Sequence, residues 1–230
     1  MLKFILGTTS LCLCLVAAQA REANFVRPDL FDTLVILPSA PANDSEQTKA
    51  ELAELHKIEE TRTPERMALA KADDAEEDMF IFAGVMGPGF SAANLPLTAK
   101  LSAKLHNDES VFSDPNKSHW NRPRPPALDP TLHPICKASN SGAYPSGHTL
   151  TGYLEALVLI AMVPEKRDAI FARLDEYGYS RLVCGVHYRS DLEASKRLGY
   201  AMIGLLMTNP AFKAEFEPAK AEVRKALGLS

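Results

Sequence analysis

Seven prolines fall between residues 115 and 145, at positions 115, 123, 125, 126, 130, 134 and 145. Each removes a backbone donor and turns the residue before it away from helix. The stretch from Pro115 to Pro145 is therefore expected to be one long irregular segment, and such segments in compact domains usually carry function or are disordered. On either side the pattern is helical. Asp44 and Ser45 can cap a helix through about Thr61, with Leu52, Leu55 and Ile58 at helical spacing. Thr63-Pro64-Glu65 marks a second start, running towards Phe82. Further helices are predicted over 95–106, 109–120, 148–162, 165–186, 191–208 and 211–227, and residues 21–44 read as an extended segment lying on the domain. Strand signals are few. The expected fold is all-α: a single compact helical domain, with its chemistry at helix termini beside the Pro-rich loop.

The first twenty residues read as an address. Met1-Leu2-Lys3 is a short positive start, Phe4 to Val16 is apolar, and Ala18-Gln19-Ala20 is a small-x-small cleavage site. A membrane anchor is the alternative, but the apolar run falls short of the ~20 residues that span a bilayer. With residues 1–20 removed as a cleaved signal peptide, 21–230 form one domain. Loss of Lys3 leaves 24 Lys plus Arg against 29 Asp plus Glu, a net charge of −5. Such a chain has no general attraction for nucleic acid or anionic membranes, so any bound anion must be held by a local basic cluster. Cys136 and Cys184 remain. Export to an oxidising compartment, the periplasm, favours a disulfide over two buried thiols. It would close a 48-residue separation, worth about 4 kcal/mol in the chain-entropy model.

Three clusters carry candidate chemistry. Lys117 is followed after six residues by Arg124-Pro125. Pro145-Ser146-Gly147-His148 stands directly before an apolar helix, where free N–H groups and a positive dipole end can hold an anion; an ordinary turn capped by Ser146 would look the same. Ser180-Arg181 is followed by His187 and then Asp191, four residues further on. Ser190-Asp191-Leu192-Glu193 has the form of a capping box, which would place Asp191 in a first helical turn within reach of the His187 ring. A carboxylate on one imidazole nitrogen fixes the tautomer and frees the other nitrogen to attack. A surface His-Asp pair and solvated cations are the alternatives for each cluster taken alone.

Together, in this order, the three blocks resemble the signature of the type-2 phosphatidic acid phosphatase superfamily, with every fixed position present. The chain is most similar in kind to the bacterial class A nonspecific acid phosphatases, which are exported, helical and without membrane spans. The resemblance implies an acid phosphatase of broad specificity acting on small phosphate monoesters. It makes His187 the nucleophile that becomes a phosphohistidine, Asp191 its orienting partner, and His148 the acid and then base. Lys117, Arg124, Ser146, Gly147 and Arg181 would bind phosphate. No metal and no cofactor are expected, since no histidine has a second ligand at metal-like spacing. A protonated His148 and a neutral His187 would give a bell-shaped profile on the acid side. A homodimer is a further expectation. The same blocks hold vanadate in the vanadium haloperoxidases, which is the alternative activity; a phosphate-binding protein without turnover is another.

Overall fold

Caps and apolar stripes in the sequence become helices in the computed structural model, which describes residues 21–30 and 32–229. The expected signal segment, 1–20, lies outside the described residues. Seven long helices are seen among those described: α1 (Glu46–Thr61), α2 (Pro64–Asp74), α3 (Pro96–Trp120), α4 (Gly147–Met162), α5 (Arg167–Val183), α6 (Arg189–Leu206) and α7 (Pro210–Ala226). No strand occurs among the described residues, so the all-α expectation holds. Ser45 caps α1 by accepting from the Thr48 amide at 3.2 Å, and Thr63 caps α2 by accepting from the Arg66 amide at 3.2 Å, with Pro64 at the first helical position.

α4 is apolar on nearly every side, and a helix of that kind must be buried. It forms the axis of the domain, with α3, α5 and α6 packed around it and α7 lying on α3. Leu150, Leu154, Leu159 and Met162 are completely buried, each contributing about 1.5–3 kcal/mol of transfer free energy. α6 can approach α4 closely because of Gly199. A Cβ there would stand 2.6 Å from Cβ of Tyr153, so Gly199→Ala would push the two helices apart. Among the described residues no helix is long and apolar enough to cross a membrane.

Several elements differ from expectation. The helices predicted at 95–106 and 109–120 are one helix, α3, and Pro115 sits inside it. Proline lacks only the N–H that would bond back to residue 111, and packing of a long buried face outweighs that loss. The irregular segment therefore begins at Asn121, whose left-handed backbone (φ 40°) ends the helix. The helix from Pro64 stops at Asp74 rather than Phe82, after which the chain makes a 3-10 turn over Met79–Phe82. The N-terminal segment is not merely extended. It carries a 3-10 turn and a one-turn helix, and buried Asp108 of α3 accepts the amides of Phe25 (2.8 Å) and Val26 (3.0 Å), pinning it to the core.

Candidate active site

A cavity of about 330 Å³ opens where several helices end. Lys117 reaches it from the last turns of α3, Arg124 from the loop that follows, and Gly147 and His148 from the start of α4. Arg181 comes from the last turn of α5 and His187 from the short connection to α6. All six were expected at one site, and all six line this cavity. Asp191 stands behind His187 rather than on the wall. Ser146 is fully buried as the cap of α4, its hydroxyl oxygen accepting from the Thr149 hydroxyl at 3.0 Å, and it is not a lining residue.

Hydrogen-bond logic fixes the tautomer of His187. Its Nε2 lies 2.8 Å from Nη1 of Arg124, and a guanidinium can only donate, so Nε2 carries the lone pair. The proton is therefore on Nδ1, which donates to Oδ2 of Asp191 at 3.1 Å. That same carboxylate oxygen accepts the Tyr188 amide at 2.8 Å, and Oδ1 accepts from Arg122 Nη1 at 2.7 Å. Asp191 is thus itself the residue that caps α6. The helix begins at Arg189, two residues before the expected start, and Ser190 serves elsewhere, accepting from Arg122 and donating to Glu51.

Arg122 was not singled out by the sequence. It is 3% exposed, joins Asp191 to Glu51 (Nη2 to Oε2, 2.8 Å), and lies over the Tyr188 ring at 3.8 Å. No spacing rule marks it, because its partners come from α1 and α6. Asp74, Glu77 and Glu109 were missed too. Asp74 accepts from Arg181 at 2.6 Å. His148 Nε2 sits 3.2 Å from the Asp74 carbonyl and 3.3 Å from Oε1 of Glu77, so a proton on that nitrogen has two acceptors.

Burial, and then the neighbouring cations Arg124 and Arg181, hold the His187 imidazole well below its ordinary range. Burial and Arg181 also push His148 down, to about 3. Both imidazoles are thus held neutral, where the sequence leads one to expect a protonated His148, and an anion bound beside His148 would raise it. Burial pushes the Asp191 carboxyl up to about 7 against the pull of Arg122 and the Tyr188 amide, and lowers the Arg124 guanidinium to about 10. The arrangement can take a tetrahedral anion among three cations, with a buried lone pair and a second imidazole facing the same cavity.

Cys136 and Cys184 form a disulfide, with their Cα atoms 5.0 Å apart. It ties the Pro-rich loop to the end of α5, where the Ile135 amide also donates to the Cys184 carbonyl at 3.0 Å. Among the described residues, the one group of metal-type ligands close enough to share an ion is Asp74 with these two sulfurs. Bonded to each other, the sulfurs are not thiolates, so they do not form a site.

Known proteins resemble the chain along most of its length. Residues 100–214 match the model of the PAP2 superfamily. A non-specific acid phosphatase of Providencia stuartii is 31% identical over 222 residues, covering 86% of this chain and 87% of that protein. One from Salmonella typhimurium is 28% identical over 224 residues, covering 91% and 89%. An acid phosphatase of Zymomonas mobilis is 33% identical over 63% of this chain and 56% of its own length. Among solved structures, a bacterial vanadium-dependent iodoperoxidase superposes with a TM-score of 0.56 at 20% identity, over 75% of this chain and about half (51%) of its own length. At that identity the likeness concerns the fold alone.

Proposed function

The chain belongs to the PAP2 superfamily and is an acid phosphatase of broad specificity, and from that premise we propose that it hydrolyses phosphate monoesters through a phosphohistidine on His187, without a metal. The observation that carries this reading is the buried imidazole whose tautomer is fixed from both sides: Asp191 on Nδ1 and Arg124 on Nε2.

A phosphate monoester entering the cavity competes for Arg124. Once the guanidinium turns to the phosphate, the Nε2 lone pair of His187 is free to attack phosphorus in line with the ester oxygen. Lys117, Arg181 and the N–H groups at the start of α4 hold the equatorial oxygens as charge spreads over them. The P–O bond to the leaving group breaks as His148 passes to the departing oxygen the proton that the ester monoanion brings. His148 then takes a proton from the water that attacks the phosphohistidine, releasing phosphate and restoring His187. Three fixed cations provide the stabilisation that other phosphatases draw from metal ions.

An acidic working range would follow from the lowered His148. Since His148 is held down to about 3, the proton for the leaving group enters with the substrate as the ester monoanion. A phosphate monoester loses that proton near pH ~6. kcat/KM is therefore expected to fall as pH rises through about 6. A flat profile to pH ~9 would break this account.

Residues 1–20 carry the features of an export signal, and periplasmic delivery would supply the oxidising conditions that the Cys136–Cys184 bond needs. N-terminal sequencing of protein from the cell envelope should begin at Arg21. The central experiment is p-nitrophenyl phosphate hydrolysis across pH in excess EDTA, with His187→Ala alongside. Activity below neutrality that survives chelation, together with trapping of 32P on histidine in acid-labile form, is the expected result. Activity that requires an added metal, or bromide oxidation with vanadate in place of hydrolysis, would overturn the proposal.

A further inference from the structure

Donors dominate the cavity, yet one buried acceptor faces it unused. Glu109 lies on α3, eight residues before Lys117, and is 2% exposed. Its Oε2 accepts from the Ser110 hydroxyl at 3.1 Å, while its Oε1 has no partner at all. A buried carboxyl oxygen left without a donor costs on the order of 1–3 kcal/mol, and proteins rarely keep such a group without a use for it.

Its position gives the use. Gly147 has no side chain, and the point where a Cβ would stand is 3.1 Å from Glu109 Oε1 and 3.1 Å from Lys117 Nζ. The quadrant left open by this glycine therefore has an acceptor on one side and a cation on the other. A ligand oxygen in the space beyond that point lies between Lys117 Nζ, which can only donate to it, and Glu109 Oε1, to which it can give a hydrogen bond only if it carries a proton. The other charged and titratable groups around Glu109 are His106 on its own helix, Glu77 on the loop after α2, His148 on α4 and Arg181 on α5. The carboxyl among them, Glu77, adds to Glu109 in disfavouring an oxygen that brings only negative charge.

We propose that Glu109 reads the protonated oxygen of the phosphoryl group, so that the cavity selects singly protonated tetrahedral anions over isosteres with no proton to donate. The inference deepens the phosphate reading of this cavity and rests on it. Dihydrogen phosphate and the monoester monoanion would bind. Sulfate, of equal shape but without a donor at pH 5, would leave Glu109 unpaired against a second negative charge, and sites built around a buried polar partner reject ligands that lack it strongly. The selected form of the substrate is the one that brings its own proton for the leaving group.

The test is anion binding to the intact protein by calorimetry at pH 5, with inorganic phosphate and sulfate as probes, in wild type and Glu109→Gln. Wild type is expected to bind phosphate at least 100-fold more tightly than sulfate, and to lose phosphate affinity as pH rises through the second ionisation of phosphate. In Glu109→Gln, whose amide can donate, the preference should shrink at least tenfold through tighter sulfate binding. A wild type that binds both anions alike, or a variant that keeps the full preference, would overturn the inference. Should Glu109→Gln fail to fold, the wild-type comparison decides alone. Hydrolysis of p-nitrophenyl phosphate separates the two claims. Turnover without anion discrimination sinks only the role of Glu109; discrimination without turnover sinks only the hydrolytic reading; binding of neither anion sinks both.

Discussion

The side of the cavity that holds His187 and the side that holds His148 use the same residue types to different ends. Behind His187, all four carboxylate oxygens of Asp191 and Glu51 accept hydrogen bonds, and Arg122 joins the two groups while stacking on Tyr188, whose buried hydroxyl is the one atom of this group without a partner among the described residues. Around His148, Glu109 Oε1 and Arg181 Nε are buried without partners, and His148 itself divides its Nε2 between Asp74 and Glu77. A satisfied network fixes one geometry; an incomplete one in a low-dielectric setting awaits the group that completes it. On the proposed mechanism the nucleophile would thus be organised before substrate arrives, and the leaving-group side would be finished by the substrate.

The sharpest way to break this comparison is at the nucleophile. His187→Ala should lower kcat on p-nitrophenyl phosphate by about 10⁵-fold or more, as loss of a covalent nucleophile does elsewhere; a loss below about 100-fold would mean that another group attacks. Arg122→Ala comes next, because it strands two buried carboxylates. It should cost about 3–5 kcal/mol in urea unfolding as well as much of the activity, whereas a change within 1 kcal/mol would show the network to be ornamental. Cys184→Ser should cost about 3 kcal/mol in the same assay, while the protein that remains folded keeps its kcat; unchanged unfolding would argue against any role for the bridge in stability. Smallest is Glu77→Gln on the looser side. It should lower kcat by only two- to tenfold with KM nearly kept, since Glu77 acts through His148. A loss as large as that of His187→Ala would erase the contrast between the two sides.

Legibility in the sequence follows the same division. Lys117, Arg124, Gly147, His148, Arg181 and His187 stand at fixed spacings within three short blocks, and each reaches the cavity. Helix starts at Ser45 and Thr63 were readable because a cap is a local event. Arg122 and Glu109 were not readable. A charged residue in a loop or on a helix is ordinarily solvated, and only packing against distant elements buries these two. Pro115 misled for the opposite reason: its local rule is strong, but a long helix packed against α4 and α7 tolerates one missing hydrogen bond. The Ser190 signal pointed to the right turn and the wrong residue, since Asp191 performs the capping from two positions further into the helix than expected.

The contact between Arg124 and His187 has a consequence beyond geometry. The Arg124 guanidinium covers the lone pair of the proposed nucleophile, which would close the imidazole to electrophiles that arrive uncharged. A carboxylic ester or an acylating reagent offers nothing to draw the arginine aside. A phosphoryl donor would bring its own means of uncovering the nitrogen, because the charge that recruits Arg124 sits on oxygens bonded to the atom to be attacked. Discrimination between acyl and phosphoryl chemistry would in this way be made at the threshold, before the leaving group has met any residue at all.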